Sequence, residues 1–373
     1  MDLSLTSMKL ALTITPQRST QYSNMTETVA ASELLASPLG PAISSLERVT
    51  LAGQAHLLVT VDEPTRALPA PQAGHPIRGM GIRSPRQDVT NFPAPTELGM
   101  LDILSRLGAT SGVYEYFERI GEVEGPFLRP LEPRFTPFVP LEMAEVRRYK
   151  GKTNEVFTRV LLNIAVFAGA YSGRYAEQLR VLDPLAGGGT TLFVALAAGY
   201  DAFGIESQRQ DVETTAVFVK QYLNSEHIPY KELDERGRRA GRRYQFEIGR
   251  KGSTRTLVLV HGDNNQANMH MQEVPGGPRM HAIVGDLPYG IQHFSEIAEM
   301  LRKALPVWER LLLPGGTLAL AWNATRIERA AMVELVEQHT RLRVRDDPPY
   351  TQFVHAVDRV IKRRDVLVAV SDE

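Results

Sequence analysis

The sequence lacks cysteine, a large net charge and long apolar runs. Without cysteine, the chain can form no disulfide, no thiolate nucleophile and no cysteine-bound zinc or iron–sulfur centre. A formal net charge of −1 gives no overall cationic field, so any contact with nucleic acid must rest on a local basic patch. No apolar run has the length that spans a membrane, and the N-terminus has no signal-peptide pattern. These absences predict a cytoplasmic protein with no membrane partner and no metal.

The length and composition are those of a folded protein with more than one domain. The chain has 373 residues, of which 43% are hydrophobic and 23% are charged. From about residue 145 to residue 370, strand-like and helical segments alternate, which predicts an α/β fold with a doubly wound, mostly parallel, Rossmann-like sheet of seven strands. We place a domain boundary between an α+β extension, residues 1–140, and a main domain, residues 141–373. Within the extension, clustered leucines predict a helix over residues 96–122.

One stretch of the main domain, residues 181–191, has the pattern of a buried strand, a glycine-rich turn and the start of a helix. Asp183 ends the strand, and Pro184 stops the hydrogen-bonded ladder. The three glycines at 187–189 let the backbone turn tightly and approach a ligand closely. Thr190 is expected to cap the helix that follows. A carboxylate beside such a turn and a helix N-terminus predicts a site for a nucleoside-bearing cofactor.

Two better-known glycine-rich loops do not fit this stretch. A P-loop needs a lysine before its Ser or Thr, and the dinucleotide-binding fingerprint needs a third glycine that is missing here. The run Asp-Pro-Leu-Ala-Gly-Gly-Gly-Thr-Thr instead resembles the first motif of S-adenosylmethionine-dependent methyltransferases that modify exocyclic amino groups of nucleic acids. The other interpretation is a tight turn that binds no ligand. The resemblance implies that S-adenosylmethionine is bound by Asp183, Pro184, Ala186, Gly187, Gly189, Thr190 and Thr191.

Further cofactor contacts are predicted at three other places in the chain. Glu206 ends the next predicted strand, about 20 residues past the glycines, where a carboxylate can accept both ribose hydroxyls; it can also be a helix N-terminal acid favoured by the helix dipole. Asp263 and Asn264 follow the third strand, in a Gly-Asp turn that resembles the family's adenine-contacting turn. Upstream, Thr153 and Asn154 lie where the resemblance implies a segment that closes over the methionine end. The other interpretation of that segment is a capped helix.

The fourth predicted strand ends in Asp-Leu-Pro-Tyr, residues 286–289. A base amino group is a poor nucleophile because its lone pair is delocalised into the ring. Asp286 can accept one of its N–H groups, and the carbonyl of Leu287, which Pro288 helps to orient, can accept the other. Tyr289 can stack on a flipped base. The stretch resembles the motif of THUMP-associated tRNA guanine-N2 methyltransferases, which implies methyl transfer to guanine N2 in tRNA.

Arginines are concentrated in an insertion between the second and third predicted strands. Four of them, Arg238, Arg239, Arg242 and Arg243, are candidate contacts to nucleic-acid phosphates, because the guanidinium group suits phosphate. The other interpretation is a solvated loop whose charges only aid solubility.

Three functions therefore stay open at this point. The first is an S-adenosylmethionine-dependent RNA amino-methyltransferase with tRNA as its partner, whose extension either binds substrate or caps the main domain. The second is a DNA adenine-N6 or cytosine-N4 methyltransferase. The third is an RNA-binding module that has lost catalysis, against which Asp286 and Tyr289 argue. The tetrapeptide Asp-Pro-Pro-Tyr at 347–350 matches the DNA enzymes letter for letter, but it lies in the wrong place among the strands and is interpreted as a turn.

Overall fold

The fold is seen in a computed structural model that describes residues 7–16, 23–62, 97–233, 243–288, 294–357 and 362–372. Four residues with predicted roles lie outside the described residues: Arg238, Arg239, Arg242 and Tyr289.

The N-terminal part of the chain forms a five-stranded antiparallel sheet with two helices. The strands lie in the order β2-β3-β1-β4-β5, and the first four have the βαββαβ connectivity of a ferredoxin-like unit. The elements are β1 (Met8–Ile14), α1 (Ser23–Ala36), β2 (Ile43–Leu51), β3 (Gln54–Val61), α2 (Glu97–Arg106), β4 (Thr110–Ile120) and β5 (Val123–Pro130).

The expected long helix over residues 96–122 is wrong beyond Arg106. Helix α2 ends there, and β4 begins at Thr110 and pairs with β1 in the middle of the sheet. The reason lies in the residues themselves. Gly108 and Gly112 weaken a helix, and the stretch from Val113 to Ile120 is rich in the aromatic and β-branched residues that fit a pleated surface.

The remainder of the chain forms a nine-stranded mixed sheet with helices on both faces. Its elements are α3 (Glu142–Val146), α4 (Glu155–Ala168), β6 (Arg180–Asp183), α5 (Thr190–Ala197), β7 (Asp201–Glu206), α6 (Arg209–Ser225), β8 (Tyr230–Leu233), β9 (Arg243–Arg250), β10 (Ser253–His261), α7 (Ala267–Met271), β11 (Met280–Asp286), α8 (Phe294–Glu309), β12 (Leu312–Asn323), α9 (Arg329–His339), β13 (Arg343–Val344) and β14 (Arg364–Val370).

The strand order of this sheet is β13-β14-β12-β11-β6-β7-β10-β9-β8. The five strands β12, β11, β6, β7 and β10 are parallel to one another, whereas β14 is antiparallel to β12 and β9 is antiparallel to β10. The predicted doubly wound, mostly parallel α/β fold is therefore confirmed. The sheet has two more strands than the expected seven, because the arginine-rich insertion begins and ends in β8 and β9, which pair with each other and extend the edge beside β10.

Helix α4 joins the two sheets into one packed body. Its residues from Phe157 to Phe167 are almost all buried, because the helix packs against elements of both sheets. It packs against β11, β12 and β14 of the large sheet and against α1 of the N-terminal sheet. The two sheets share one hydrophobic cluster, which includes Leu10 of β1 and Val368 of β14. The domain boundary at residue 140 stays a prediction.

A buried carboxylate lies at this junction. Glu33 of α1 is fully buried, and its two oxygens accept hydrogen bonds from the backbone N–H groups of Gly108 and Ala109 at 2.8 and 2.9 Å. The Asn163 side chain of α4 donates to the same carboxylate at 2.8 Å. Burial raises the pKa of Glu33, and these donors with the nearby Arg159 oppose the rise. The carboxylate therefore bonds the α2–β4 loop, α1 and α4 together.

We expect Glu33→Ala to lower the free energy of unfolding by about 3 kcal/mol, because it leaves the buried N–H groups of Gly108 and Ala109 without an acceptor and removes one of the two acceptors of the Asn163 amide. Urea unfolding measures this loss. Glu27→Ala on the same helix is the matched control, since Glu27 is exposed and pairs with the exposed Arg48, and we expect it to change stability by less than about 1 kcal/mol. Equal effects of the two substitutions would show that the buried network adds nothing.

Candidate active site

A large cleft lies where three parallel strands end. Strands β7, β6 and β11 are neighbours, and they end at Glu206, Asp183 and Asp286. The chain order reverses between β6 and β11, which is the switch point where open α/β sheets bind ligands. The cleft has an empty volume of about 1430 Å³, which includes the open space at its mouth. Its lining is Tyr149, Lys150, Gly151, Thr153, Asp183, Leu185, Ala186, Gly187, Gly188, Thr190, Thr191, Glu206, Ser207, Gln208, Asp211, Asn264, Asp286, Leu287, Pro288 and Met300.

The glycine-rich turn connects β6 to α5 along one wall of the cleft. Gly187 and Gly189 have φ values of +48° and +91°, a backbone region that other residues rarely adopt. Gly189 occupies the N-cap of α5 without a side-chain cap, so the expectation that Thr190 caps this helix is wrong. Thr190 is instead the first helical residue, and its hydroxyl is hydrogen-bonded to the Tyr149 hydroxyl at 2.7 Å. Thr190 and Thr191, the first two residues of α5, line the cleft.

Tyr149 is a residue of the cleft that the sequence did not single out. Its ring lies against Gly188, where an added Cβ would come within 2.5 Å of the ring carbons. Burial raises the pKa of the Tyr149 hydroxyl, so this group stays protonated at neutral pH. The glycine at 188 is therefore required by a close side-chain contact. Only the position of Tyr149 in the segment upstream of α4 could have indicated a role.

Glu206 binds the glycine turn through one oxygen and the start of α6 through the other. Its Oε2 accepts the N–H of Gly187 at 2.9 Å, and its Oε1 accepts the N–H of Gln208 at 2.7 Å. The Ser207 hydroxyl donates to Oε1 at 3.1 Å. These bonds fix the carboxylate at the cleft wall beside the turn. A carboxylate has about four lone-pair sites and three are used here, so Glu206 can accept one further hydrogen bond from a ligand, and a second when the Ser207 hydroxyl turns away.

Asp183 is a buried carboxyl group in the centre of the cleft floor. Its Oδ1 accepts the N–H of Leu185 at 2.9 Å, and Thr191 also hydrogen-bonds its side chain. Burial raises the pKa of Asp183 to about 7, against an ordinary value of 3.8, and the nearby carboxylates of Asp286 and Glu206 add to the rise. A substantial fraction of the group is thus protonated at neutral pH, and a positively charged ligand beside it would favour the ionised form.

This pKa predicts a pH-dependent stability. The folded state holds the Asp183 proton more tightly than the unfolded state, so the contribution of this group is fully present below about pH 4 and is lost as the pH rises through 7. Asp183→Asn removes the titration. Relative to the wild type, we expect the variant to gain stability between pH 4 and pH 7.5, by about 4 kcal/mol at most. Urea unfolding across this range tests it, with the exposed Asp62→Asn as control; parallel curves for wild type and Asp183→Asn would contradict the assignment.

The acceptor side of the cleft is built around Asp286. Its Oδ2 accepts a hydrogen bond from the Thr153 hydroxyl at 2.6 Å and lies 3.7 Å from Nη2 of Arg364. The N–H of Leu287 donates to the carbonyl of Ala321 at 2.9 Å, which ties the end of β11 to β12. The Asp286 side chain is only 12% exposed. The cleft therefore holds a fixed, partly buried carboxylate opposite Glu206.

The cleft brings together most of the predicted site residues, whose roles stay predictions. Thr153, Asp183, Ala186, Gly187, Thr190, Thr191, Glu206, Asn264, Asp286, Leu287 and Pro288 line it.

The other described residues with predicted roles lie outside the lining. Pro184 is buried behind the turn, and Asn154 caps α4 by accepting the N–H of Phe157 at 3.0 Å. Asp263 accepts the N–H of Asn265 at 2.9 Å at the start of the short helical turn that leads into α7, and Arg243 donates to the carbonyl of His270 at 2.5 Å. Gly189 acts through its backbone shape alone.

Three further features bear on the choice of partner: the segment 347–350, possible metal-binding groups and possible membrane-spanning helices. The segment 347–350 forms a turn, closed by a hydrogen bond from the Tyr350 N–H to the Asp347 carbonyl at 2.9 Å, and lies past β13 at the end of the sheet away from β6. Within the described residues, no three or more His, Asp or Glu side chains are grouped to hold a metal ion. Across the same part of the chain, every helix is too short or too polar to cross a membrane.

Comparison with known proteins gives structural resemblances. No protein-family profile and no curated protein matches the sequence. Among solved structures, the chain resembles TrmN from Thermus thermophilus, with 14% identity and a TM-score of 0.42, over 98% of this chain and 99% of that one. It also resembles an rRNA methylase from Streptococcus thermophilus, with 14% identity and a TM-score of 0.32 over 53% and 90% of the two chains. The Methanococcus jannaschii fibrillarin pre-rRNA processing protein has 14% identity and a TM-score of 0.35 over 70% and 89%.

Proposed function

We propose that this protein transfers the methyl group of S-adenosylmethionine to an exocyclic amino group of a nucleic-acid base, with guanine N2 in tRNA as the substrate. The observation that supports it is one continuous cleft with two chemically different walls. On one wall, Glu206 lies beside the glycine turn; on the other, Asp286 is followed by Leu287 and Pro288. A cofactor and an acceptor base can therefore meet between the ends of β6 and β11.

The residues on the Glu206 wall fit S-adenosylmethionine. When bound, this cofactor supplies a methyl group on a positively charged sulfur, which is already a good leaving group. Glu206 can accept the two ribose hydroxyls, and no phosphate is present in the ligand to repel it. Asp183, with its raised pKa, provides a carboxyl group that ionises near a cation. Asn264 and the glycine turn complete the wall.

The residues on the Asp286 wall fit an amino group. Asp286 accepts one N–H and the Leu287 carbonyl accepts the other, which draws the nitrogen toward tetrahedral geometry and aims its lone pair at the methyl carbon. With S-adenosylmethionine bound, the methyl carbon would pass to this nitrogen as the carbon–sulfur bond breaks, with the bonding pair going to sulfur. The methylated nitrogen then loses one proton, which Asp286 accepts and passes to water. The protein contributes position and charge, and the cofactor contributes the reactive group.

The choice of an RNA guanine rests on the residues after Asp286. Leucine stands where DNA amino-methyltransferases more often have proline, and the stretch resembles the tRNA guanine-N2 enzymes at this point. Exposed Lys150 stands at the mouth of the cleft, where a nucleic-acid phosphate would pass. The proposed phosphate contacts of Arg238, Arg239, Arg242 and Arg243 stay a prediction. The N-terminal sheet is proposed to bind substrate or to cap the catalytic unit.

The deciding experiment uses methyl-labelled S-adenosylmethionine. The full-length protein is incubated separately with unmodified tRNA, rRNA and duplex DNA, and the products are digested to nucleosides and identified by mass spectrometry. We expect labelled N2-methylguanosine from tRNA alone. Labelled N6-methyladenine or N4-methylcytosine from DNA would replace the RNA substrate with a DNA one. Absence of label from all three pools, together with no calorimetric binding of S-adenosylmethionine, would overturn the proposal.

A further inference from the structure

The strongest unassigned feature near the cleft is a buried arginine. Arg364 begins β14 and is only 3% exposed. Its backbone exchanges two hydrogen bonds with His355, at 2.8 and 3.0 Å, so its position is fixed. Its guanidinium lies over the ring of Phe157 of α4, 4.5 Å from the ring centre, and its Nη2 faces Oδ2 of Asp286 at 3.7 Å. The side chain therefore reaches from β14, on the other side of β12, to the proposed catalytic carboxylate at the end of β11.

Burial of the charged guanidinium raises the free energy of the folded state unless a partner compensates for the lost water. Removing a guanidinium from water is expensive unless an anion or a ring face replaces the water. Phe157 supplies the ring face and Asp286 supplies the anion. His355 is also close, and burial together with Arg364 lowers the pKa of its imidazole to about 4, so it is neutral at pH 7. The buried charge thus faces one carboxylate and no competing cation from this histidine.

The same carboxylate oxygen also has a hydrogen-bond donor from another part of the chain. The Thr153 hydroxyl donates to Asp286 Oδ2 at 2.6 Å, so one hydrogen bond and the ion pair with Arg364 meet at one oxygen. Thr153 stands just before α4, and Arg364 stands at the start of β14. A hydrogen bond from one element and an ion pair with another restrict rotation of the carboxylate about its Cβ–Cγ bond. We call this arrangement, in which Arg364 and Thr153 both act on Asp286 Oδ2, the clamp.

We propose that Arg364 and Thr153 are positioning residues that hold the Asp286 carboxylate in the orientation that receives the substrate amino group. The inference rests on the methyltransferase function proposed above and deepens it. It also changes the role of Thr153, which the sequence assigned to the cofactor. A Thr153 that serves Asp286 affects turnover, whereas a Thr153 that binds cofactor affects cofactor affinity.

Steady-state kinetics and cofactor calorimetry on four variants test the clamp. We expect Arg364→Met to lower kcat about 100-fold and Thr153→Val about 10-fold, with cofactor Kd changed less than about threefold, because a misplaced catalytic group costs rate rather than cofactor binding. Arg364→Lys and Thr153→Ser should recover a large part of the loss, since each retains a donor. A loss that appears in cofactor Kd with kcat retained would overturn the clamp.

The matched control is Arg329→Met. Arg329 bonds Asp365, the residue next to Arg364, at 3.4 Å and Asp346 at 2.7 Å, and it does not line the cleft. Its loss should destabilise the same end of β14 while sparing kcat at equal folded fraction, as judged by urea unfolding. Equal losses of kcat in Arg364→Met and Arg329→Met would assign Arg364 a purely structural role and overturn the inference.

Crystal structures separate the clamp from the proposed function. In the double variant Arg364→Met/Thr153→Val, we expect the Asp286 carboxylate to rotate away from its wild-type orientation or to become disordered. An unmoved carboxylate would overturn the clamp whatever the activity. A wild-type protein that transfers no methyl group would overturn the proposed function, and the structures would still decide whether the two residues orient Asp286.

Discussion

Replacement of Glu206 by alanine is expected to weaken the binding of S-adenosylmethionine about 100-fold or more. Two effects combine. The two ribose hydroxyls lose a charged acceptor, and hydrogen bonds to charged groups contribute roughly 1.5–3 kcal/mol each. The Gly187 and Gln208 N–H groups also lose the acceptor that fixes the glycine turn. About 2.7 kcal/mol already corresponds to a 100-fold change in Kd.

Isothermal calorimetry with S-adenosylmethionine and S-adenosylhomocysteine measures this loss. Both ligands share the ribose, so both should weaken by a similar factor. Glu213→Ala is the control, because Glu213 is a carboxylate of the adjacent helix α6 that pairs with Arg209 and does not line the cleft. If Glu206→Ala binds S-adenosylmethionine with an affinity within threefold of the wild type, Glu206 does not contribute to the cofactor site.

The strand-end residues of the cleft were accessible from the sequence because parallel strands share an edge. Once strands ending at Asp183, Glu206 and Asp286 are recognised, the doubly wound order brings their carboxyl ends together without further information. This argument does not depend on how many positions of the chain separate the three residues. The position of Asp263 relative to the cleft does not follow from this reasoning, because it lies two residues beyond the end of β10, in a turn whose local shape a strand pattern does not specify.

The residues that the sequence did not reveal reach the cleft through long-range packing. Arg364 meets Asp286 across 78 positions of the chain, because β14 pairs with β12 in a register that places it near the end of β11. Tyr149 meets Gly188 because α4 brings its upstream segment over the turn. Neither position has a spacing or a composition that distinguishes it from an ordinary buried or surface residue. The wrong prediction of a helix after Arg106 has another cause. The leucine cluster before Arg106 favours a helix and outweighs the glycines and aromatic residues that follow it.

Asp286→Ala is expected to lower methyl transfer by about 1000-fold, since the variant loses both the acceptor of one substrate N–H and the group that takes the proton. Cofactor Kd should change less than about threefold, because Asp286 stands on the acceptor wall. Single-turnover rates with labelled cofactor and calorimetry on the same preparation give both quantities. Full activity in Asp286→Ala would refute the catalytic role of Asp286. A loss of cofactor binding alone would show that Asp286 binds the cofactor and not the substrate amino group.

Asp286→Asn distinguishes the need for an oxygen from the need for an oriented carboxylate. An asparagine retains one oxygen, so a site that only needs an acceptor would keep most of its rate. Here the Thr153 hydroxyl donates to the Oδ2 position and the positive charge of Arg364 lies 3.7 Å from it, and both favour the amide oxygen there. The amide nitrogen, a donor, then takes the place of the other carboxylate oxygen. We therefore expect Asp286→Asn to be within tenfold of Asp286→Ala, and the addition of Thr153→Val to the asparagine variant to raise its rate; a near-normal rate in Asp286→Asn would contradict this orientation.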